Sequence, residues 1–424
     1  MSRAPQVDGA RLLRSLAEFA KIGATPAGGV NRQALTPEDR AARRLLAERA
    51  LARGFSLHQD AAANLFIRRE GYDASLSPVL IGSHLDSQPT GGRFDGALGT
   101  LSAFEALEAL ADAQHPTRRA VEVVAFTNEE GSRFAPGCMG SMAFAGAGSV
   151  SDWRSASAPD GKRLENELAA TLSALPEARL RERQPPLFAF VELHIEQGPI
   201  LEREAVPIGV VTGVQGTRWL EVAFTGDAAH AGTTPREFRK DAMAAAASAI
   251  AVLQAEIMPV DPQARLTVGR LAVEPGSINV VASHVTFTVD IRHPDPMALA
   301  ELESRVRRVC AQSGETWGCG LAIERRLDMA PGQFAPSITR TIEAACDRLG
   351  IASRRMISGA FHDALFISRV APSAMIFVPC LNGISHNEAE FVSDEHVVLG
   401  ARAMLQVVLD LADRREVSLA DHQG

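Results

Sequence analysis

Apolar residues recur at the spacing of one helix face in three early stretches of the chain, Ala10–Phe19, Pro37–Arg53 and Leu98–Ala111. Between and after these stretches, short runs rich in Val, Ile and Phe predict buried strands at Val79–Ile81, Val121–Phe126 and Phe188–Leu193. Strands and helices that alternate in this way are typical of an α/β fold, so we expect a domain with a mostly parallel sheet.

The pattern changes in the middle of the chain. Arg218–Phe224 and His284–Ile291 alternate apolar and polar residues as half-buried strands do, and a helix-like stretch accompanies each of them. A motif with reactive side chains, Ser385-His386-Asn387, returns after Pro331-Gly332. We therefore expect a smaller α+β domain inserted into a discontinuous larger one, with residues 213–330 in the former and residues 1–212 and 331–424 in the latter.

Length and composition agree with two globular domains. The 424 residues exceed one ordinary core, and contents of 46% hydrophobic and 22% charged residues are those of a soluble protein. A net charge of −8 and the lack of a basic run disfavour nucleic acid or an anionic membrane as a partner. The five cysteines are scattered and no signal-peptide or membrane-spanning pattern stands out, so we expect a cytoplasmic protein with reduced thiols.

Side chains that can bind metals follow the predicted strands. His84 and Asp86 come after the first strand, Glu129 and Glu130 after the second, and His194 at the end of the third. Ligands gather beyond the carboxyl ends of strands in open α/β sheets, so these motifs can converge on one crevice. One of the two adjacent glutamates is then assigned to metal and the other to general base, whose pKa burial and the acidic neighbour should raise. The spacing does not tell which is which.

Two further residues complete a ligand set. Asp95 lies in the glycine-rich loop Gly91–Gly96, and His386 follows a loop that contains glycine. Imidazoles and carboxylates on loops suit a pair of divalent ions such as zinc, manganese or cobalt, which activate water and stabilise an oxyanion. Taken singly, a loop aspartate usually bonds loop amides, and a lone histidine is usually a core or solvated residue. The combination favours a metal site.

The predicted inserted domain carries polar candidates of its own. His230 lies in the loop Gly226–Gly232, and Asn279 and Arg292 flank its last predicted strand. Arg292 is suited to a bidentate clamp on a substrate carboxylate, although most arginines are surface residues with a local salt bridge. In the larger domain, His362-Asp363 is either an orienting pair or the start of a helix.

These motifs resemble the metal-dependent hydantoinase/carbamoylase amidases, relatives of the M20 dinuclear metallopeptidases. That group includes N-carbamoyl-L-amino-acid hydrolases, β-ureidopropionases and allantoate amidohydrolases. The resemblance runs from about Pro78 to Phe391 and is carried by the segments GSHLDSQPTGGRFDG, FTNEEGSRF, ELHIEQGP, AAHAGTTP, GSINVV, DIRHPD and SHNEAEF.

The resemblance implies two divalent metal ions per subunit, with zinc, manganese, cobalt and nickel as candidates. It implies that Asp95 bridges the two ions and that the remaining ligands are His84, Glu130, His194 and His386. Glu129 would be the general base, and Asp86 would orient His84.

The resemblance also implies a set of substrate contacts. His230 would steady the oxyanion. The residues that would bind the substrate are Gln215, Asn279, Arg292, Gly359 and Ala360. The smaller domain would act as a lid and form a homodimer, so that His230, Asn279 and Arg292 reach the partner's site and domain closure belongs to catalysis.

The expected reaction is cleavage of the ureido C–N bond of an N-carbamoyl-L-amino acid, or of an N-carbamoyl-β-amino acid, to amino acid, carbon dioxide and ammonia. Allantoate or another ureido acid is the alternative substrate, and an M20-type dipeptidase is less favoured. A non-catalytic scaffold would show gaps in the ligand set, and the sequence has none. Phe361 stands where the family often has glycine or another small residue, and Arg236 stands where an apolar residue is expected. Both bear on the choice of substrate.

Overall fold

The computed structural model describes residues 4–414. They divide into two compact units: unit 1 runs up to Thr212 and resumes at Gln333, and unit 2 is Gly213–Gly332. In chain order the helices are α1 (Gly9–Phe19), α2 (Pro37–Ala52), α3 (Ala97–Asp112), α4 (Met139–Phe144), α5 (Val150–Trp153), α6 (Leu164–Ala174), α7 (Ile200–Glu204), α8 (Ala242–Glu256), α9 (Pro296–Trp317), α10 (Pro336–Leu349), α11 (Asp363–Ile367) and α12 (Asp394–Ala412).

The strands lie between these helices, and short 3-10 turns occur at Arg236–Phe238 and Leu381–Gly383. In chain order the strands are β1 (Ser56–Gln59), β2 (Leu65–Arg69), β3 (Val79–His84), β4 (Val121–Phe126), β5 (Arg179–Leu180), β6 (Ala189–Ile195), β7 (Ile208–Val214), β8 (Gly216–Thr225), β9 (Ala229–His230), β10 (Arg265–Thr267), β11 (Leu271–Glu274), β12 (Val280–Val281), β13 (His284–His293), β14 (Gly320–Met329), β15 (Gly332–Gln333), β16 (Ser353–Ser358) and β17 (Ser373–Val378).

A large sheet forms the centre of unit 1. Its strand order is β15-β7-β17-β6-β3-β4-β2-β1-β5, with β16 also paired to β7, and the four central strands β17, β6, β3 and β4 are mutually parallel. Every residue of these four strands is buried, as expected of parallel strands covered on both faces. Antiparallel strands β2 and β7 extend the parallel core on either side. The predicted α/β class with a mostly parallel sheet is confirmed.

The strand β17 is the last strand among the described residues, yet it lies inside the sheet. It pairs in parallel with β6, with Ile376 opposite Leu193, and antiparallel with β7, with Ile376 opposite Val210. Its position between two earlier strands means that the second segment of unit 1 completes the sheet that the first segment begins.

A buried ion pair on α2 supports the end of β4. The helix begins after Thr36, whose hydroxyl caps the amide of Asp39. The guanidinium of Arg43 donates to both carboxylate oxygens of Asp39, at 3.0 and 3.1 Å, and both side chains are shielded from solvent. The same guanidinium donates to the main-chain oxygen of Phe126, at 3.2 Å, and to the hydroxyl of Thr127, at 3.2 Å. The helix therefore fixes the point at which β4 ends.

Unit 2 is built on an antiparallel sheet of order β10-β13-β8-β14, with β11 also paired to β13. Burial alternates residue by residue along β13, as its sequence predicts. The helices α8 and α9 pack on β13 and β8, and alanines such as Ala245, Ala246 and Ala249 let α8 approach the sheet closely. Among the helices described in either unit, none is both long and apolar enough to cross a bilayer.

Candidate metal centre

Neighbouring parallel strands carry two of the predicted ligands to one edge of the sheet. His84 is the last residue of β3 and His194 lies one residue before the end of β6, and each side chain is 1% exposed. Their ring centroids are 5.9 Å apart. The two imidazoles meet because the carboxyl ends of parallel strands lie at the same edge of a sheet.

Asp95 is the residue on which the predicted ligands converge. One carboxylate oxygen, Oδ1, lies 3.0 Å from His194 Nε2 and 3.6 Å from His84 Nε2. The other oxygen, Oδ2, lies 3.5 Å from Nε2 of His386. Asp95 thus belongs to two groups of potential ligand atoms, each within 4.8 Å of one another: the inner group is His84, Asp95 and His194, and the outer group is Asp95, Glu130 and His386.

The electrostatics of the inner group favour an ionised aspartate. Burial opposes ionisation of Asp95, but the hydrogen bond and charge of His194, with smaller contributions from His84 and His386, hold the pKa of its carboxyl far below the ordinary range. Burial in turn lowers the pKa of His84 to about 4, which keeps that ring neutral. For His194, burial lowers the pKa, but the hydrogen bond and charge of Asp95, with the charge of Glu192, together outweigh burial and raise the pKa to about 9.

The orientation of the two inner histidines fits a metal ion. His84 Nδ1 lies 2.9 Å from the main-chain oxygen of Asp86, and His194 Nδ1 lies 2.9 Å from that of Ile195. Each ring therefore donates through Nδ1 and turns Nε2 towards Asp95, the arrangement usual for metal-ligating histidines. The buried Nε2 of His84 has no hydrogen-bond partner among the described residues. Such an orphaned acceptor, facing carboxylates, is what a divalent cation would satisfy.

The outer group lies on loops. The side chain of His386 is 49% exposed, and its Nε2 is 3.3 Å from Glu130 Oε2. Glu130 is held by Gln88, which donates its main-chain amide at 3.2 Å and its side-chain amide at 2.8 Å. Burial first, then the nearby charges of Asp95 and Asp86, raise the pKa of Glu130. A cation beside this carboxylate would offset the energetic cost of ionising it in the buried site.

Glu129 lies next to the inner group without belonging to it. Its Oε2 is 3.6 Å from His84 Nε2, and its Oε1 lies 3.5 Å from the thiol of Cys138. Burial, then the charges of Asp363 and Glu130, raise its pKa well above the ordinary range. A carboxyl with a raised pKa is suited to accept and release a proton near neutral pH.

The structure corrects the expectation for Asp86. Its carboxylate is 3.9 Å from His84 Nδ1, which is too long for a hydrogen bond, and the main-chain oxygen of Asp86 holds the ring instead. The carboxylate accepts from the main-chain amides of Glu129 and Glu130, both at 3.3 Å. Asp86 therefore holds the turn that carries the two glutamates, because its carboxylate lies beyond the end of β3 and accepts from the main chain that follows β4.

Three polar residues in contact with Asp95 or its loop escaped prediction. Gln197 donates to Asp95 Oδ2 at 3.0 Å, and the hydroxyl of Ser385 lies 3.1 Å from the same oxygen. Glu390, buried, accepts from the main-chain amides of Phe94 and Asp95. The only signal for them was their place in the segments ELHIEQGP and SHNEAEF, since isolated polar residues in loops have no periodicity.

A further cluster lies behind His194. Glu192 Oε1 accepts from Ser83 at 2.7 Å, and the edge of the His362 ring contacts His194 at a centroid distance of 4.5 Å. Ligand atoms of Glu192, His194 and His362 also lie within 4.8 Å of one another. Nε2 of His362 is 3.0 Å from the hydroxyl of Ser358, which accepts from the main-chain amide of Ala360. His362 therefore links the inner group to the predicted substrate loop at Gly359 and Ala360, and it directly precedes α11.

The remaining predicted residues belong to unit 2. His230 in β9 pairs with Val280 in β12, and the main-chain oxygen of the adjacent Asn279 accepts from Ala231. Nδ1 of His230 accepts from the amides of Gly232 and Thr233, so Nε2 carries the proton of the neutral ring.

Two more predicted substrate contacts have partners within unit 2. Arg292 in β13 donates to Asp290 at 2.8 Å. Gln215 donates to the main-chain oxygen of Gln263 at 3.3 Å. Their roles towards a substrate stay predictions.

Comparison with known proteins identifies the family. Residues 80–410 match the model of peptidase family M20/M25/M40. An N-carbamoyl-L-amino-acid amidohydrolase of Rhizobium meliloti is 41% identical over 96% of this chain and 97% of its own length. The allantoate amidohydrolase of Escherichia coli is 35% identical over 93% of this chain and 96% of its own. A crystal structure of a hydantoinase/carbamoylase family amidase from Burkholderia multivorans superposes with a TM-score of 0.93 at 43% identity, covering 98% and 100% of the two chains. The chain belongs to the M20/M25/M40 family, as its motifs predicted, and it is a hydrolase of C–N bonds.

Proposed function

We propose that this member of the M20 family is a dinuclear metal amidohydrolase that cleaves the ureido C–N bond of N-carbamoyl-L-amino acids, or of N-carbamoyl-β-amino acids. The observation that carries the proposal is the carboxylate of Asp95, shared by two groups of ligand atoms and flanked by the buried base candidate Glu129. The relatives named N-carbamoyl-L-amino-acid amidohydrolase, at 34–41% identity, support this substrate class.

The residues that would hold the metal ions are the two groups around Asp95: His84 and His194 with Asp95 for the inner ion, and Glu130 and His386 with Asp95 for the outer one. Divalent ions bound there would polarise the ureido carbonyl and lower the pKa of water. Zinc, manganese, cobalt and nickel all accept this mixture of imidazole and carboxylate.

Glu129 would move the proton. A water molecule that attacks the ureido carbonyl must lose a proton, and the nitrogen that leaves must gain one. Glu129 has no cation paired with it in the described part of the chain, and burial raises its pKa, so its carboxylate is basic enough to accept the first proton and deliver it to the nitrogen. The carbamoyl fragment then leaves as carbon dioxide and ammonia, and the amino acid is released with its own nitrogen protonated.

The remaining roles concern the substrate. His230 would donate from Nε2 to the carbonyl oxygen as it gains negative charge. Arg292, with Asn279, would bind the substrate carboxylate, and Gln215 would line the substrate pocket. The main chain at Gly359 and Ala360 would complete the contacts; the fixed Ser358 and His362 beside it support that role.

We also propose a homodimer in which His230, Asn279 and Arg292 act on the partner subunit's metal centre. The test mixes two inactive variants, His386→Ala and Arg292→Ala, after dissociation and reassembly. Recovery of part of the activity requires that one subunit complement the other. Without recovery, each subunit works with its own residues or the protein is a monomer.

The function is tested by ammonia release from metal-reconstituted protein. The panel contains N-carbamoyl-L- and D-amino acids, N-carbamoyl-β-alanine, allantoate and dipeptides. Glu129→Gln is the inactive variant, and Glu48→Gln, at an exposed position on α2, is its matched control. Release from carbamoyl-L-amino acids that Glu129→Gln reduces about 10²–10⁴-fold, with metal content unchanged, supports the proposal. Release from allantoate alone would favour the alternative that the relative at 35% identity suggests. Cleavage of dipeptides only, or of nothing, would overturn both.

A further inference from the structure

We infer that Glu390 is a positioning residue of the metal centre: it joins the main chain of Asp95 to the segment that carries His386, and so sets the affinity of the outer group for its ion. The inference rests on the proposed metal centre and deepens it. Glu390 is not among the candidate ligands, since it lies outside both groups of ligand atoms.

The contacts of Glu390 divide between its two oxygens. Oε1 accepts from the main-chain amides of Phe94 and Asp95, each at 3.0 Å. Oε2 accepts from the hydroxyl of Ser385 at 3.1 Å. The residue is 3% exposed, and a methyl group on Gly92 would lie 2.0 Å from Oε1, so this loop closes tightly over the carboxylate. One side chain thus bonds both loops.

These bonds act on two of the three ligands in the outer group. The amide of Asp95 is bonded directly, and Ser385 is the residue before His386, which has a positive φ of 53° on an exposed loop. The same hydroxyl lies 3.1 Å from Asp95 Oδ2, so the two carboxylates share its single proton and Ser385 lies between them. Neither His386 nor Asp95 lies on a strand, so hydrogen bonds of this kind fix their relative position.

The inner group depends on Glu390 less. His84 and His194 sit at the ends of paired strands, and main-chain oxygens hold both rings. Of the inner ligands only Asp95 touches Glu390, and its Oδ1 keeps its own contact of 3.0 Å with His194. Loss of Glu390 should therefore loosen the outer ion and largely spare the inner one.

A substitution that removes the acceptor but keeps the volume isolates this effect. Glu390→Met leaves the amides of Phe94 and Asp95 without an acceptor, whereas Glu390→Gln keeps one carbonyl oxygen for both and can still bond Ser385. Neither variant carries the charge of the wild type, so a difference between them reports the hydrogen bonds. Glu388→Met is the matched control, because Glu388 lies in the same segment and makes no hydrogen bond within residues 4–414.

The experiment is a titration of each metal-free variant with Mn²⁺ or Zn²⁺, followed by calorimetry and by metal analysis after gel filtration. We expect two ions per chain for the wild type, Glu390→Gln and Glu388→Met. In Glu390→Met the weaker ion should lose about 10–100-fold in affinity, the cost typical of removing a group that orients ligands, while the tighter ion changes less than about threefold. Equal affinities in Glu390→Met and Glu390→Gln would overturn the inference.

A double variant shows which ion is affected. His386→Ala removes a ligand of the outer group only, so Glu390→Met added to it should change the affinity of the remaining ion little. A large further loss would mean that Glu390 acts on the whole site, and the inference would be wrong. Where Glu390→Met does not fold, Ser385→Ala supplies the test, because it removes the hydrogen bond to Oε2 of Glu390. Unchanged affinity for the weaker ion would then overturn the inference.

The titration also separates this inference from the proposed function. Two ions bound by the wild type with no hydrolysis of any ureido acid would refute the function and leave the role of Glu390 open to the same measurement. Hydrolysis with unaltered ion affinities in Glu390→Met would refute the role and leave the function standing.

Discussion

Replacing Asp39 by asparagine is expected to destabilise the protein strongly, although the residue lies on a helix outside the metal centre. Arg43 is 1% exposed and Asp39 is fully buried, and their side chains share two hydrogen bonds. Asparagine keeps the shape of Asp39 but leaves the Arg43 guanidinium with only neutral partners, the main-chain oxygens of Ala63 and Phe126 and the hydroxyl of Thr127. Removing one partner of a buried pair costs about 3–5 kcal/mol, and we expect a loss in that range.

The measurement is equilibrium unfolding in urea, followed by circular dichroism at a fixed metal concentration. The neighbouring pair Arg44–Glu177 supplies the control: its atoms are also 3.0 Å apart, but the two side chains are 35% and 43% exposed, so Glu177→Gln should leave the midpoint unchanged. Asp39→Asn combined with Arg43→Met should cost about 1–3 kcal/mol less than the sum of the single variants, because neither then leaves a charge unpaired. A loss below about 1 kcal/mol for Asp39→Asn, or strict additivity, would refute the reasoning.

Other predictions concern the site itself. Gly96→Ala would place a methyl group 2.3 Å from the His84 ring, at a residue with a positive φ of 64°. We therefore expect metal affinity, measured by titration, to fall by about 10–100-fold. Unchanged affinity would show that the ring can shift freely. Asp86→Asn can accept from only one of the two amides of Glu129 and Glu130, so kcat should fall while both ions stay bound, which steady-state kinetics with metal analysis would check. Chelation should abolish ammonia release and lower the unfolding midpoint, and readdition of metal at about 100 times its Kd should restore roughly 2.7 kcal/mol; a midpoint insensitive to chelator would contradict a metal centre of the kind proposed.

The sequence predicted the part of the site that depends on strand ends. The apolar runs before His84 and His194 marked two parallel strands, and the topology of such sheets brings their carboxyl ends together. The glycine-rich loop marked Asp95 in the same way, as a residue on a tight turn. These signals are local, so they could be recognised without knowing which distant segments touch.

The rest depends on contacts between distant segments, and no local pattern encodes them. Glu390 bonds Phe94 across most of the chain, and nothing in its neighbourhood distinguishes it from a solvated glutamate. Arg43 and Asp39 have the composition of an exposed helix face, yet they are buried. For Asp86, the family resemblance implied that the residue orients His84, and in the structure it is the main-chain oxygen of Asp86, and not its carboxylate, that holds the ring.

The place of β17 bears on how the protein is made. A ribosome completes β6 and β7 long before it reaches Ser373, so the nascent chain holds β6, a strand that is fully buried in the folded protein, with one edge unpaired. Unit 2 is contiguous in the sequence and has been synthesised completely by then. The free edge of β6, however, stays unpaired until β17 is made, and unpaired strand edges promote aggregation with other chains. A polypeptide terminated before β17 should therefore aggregate instead of accumulating as a partly active fragment. His386 leaves the ribosome later still, so the proposed outer ion would be bound only after β17 has been made.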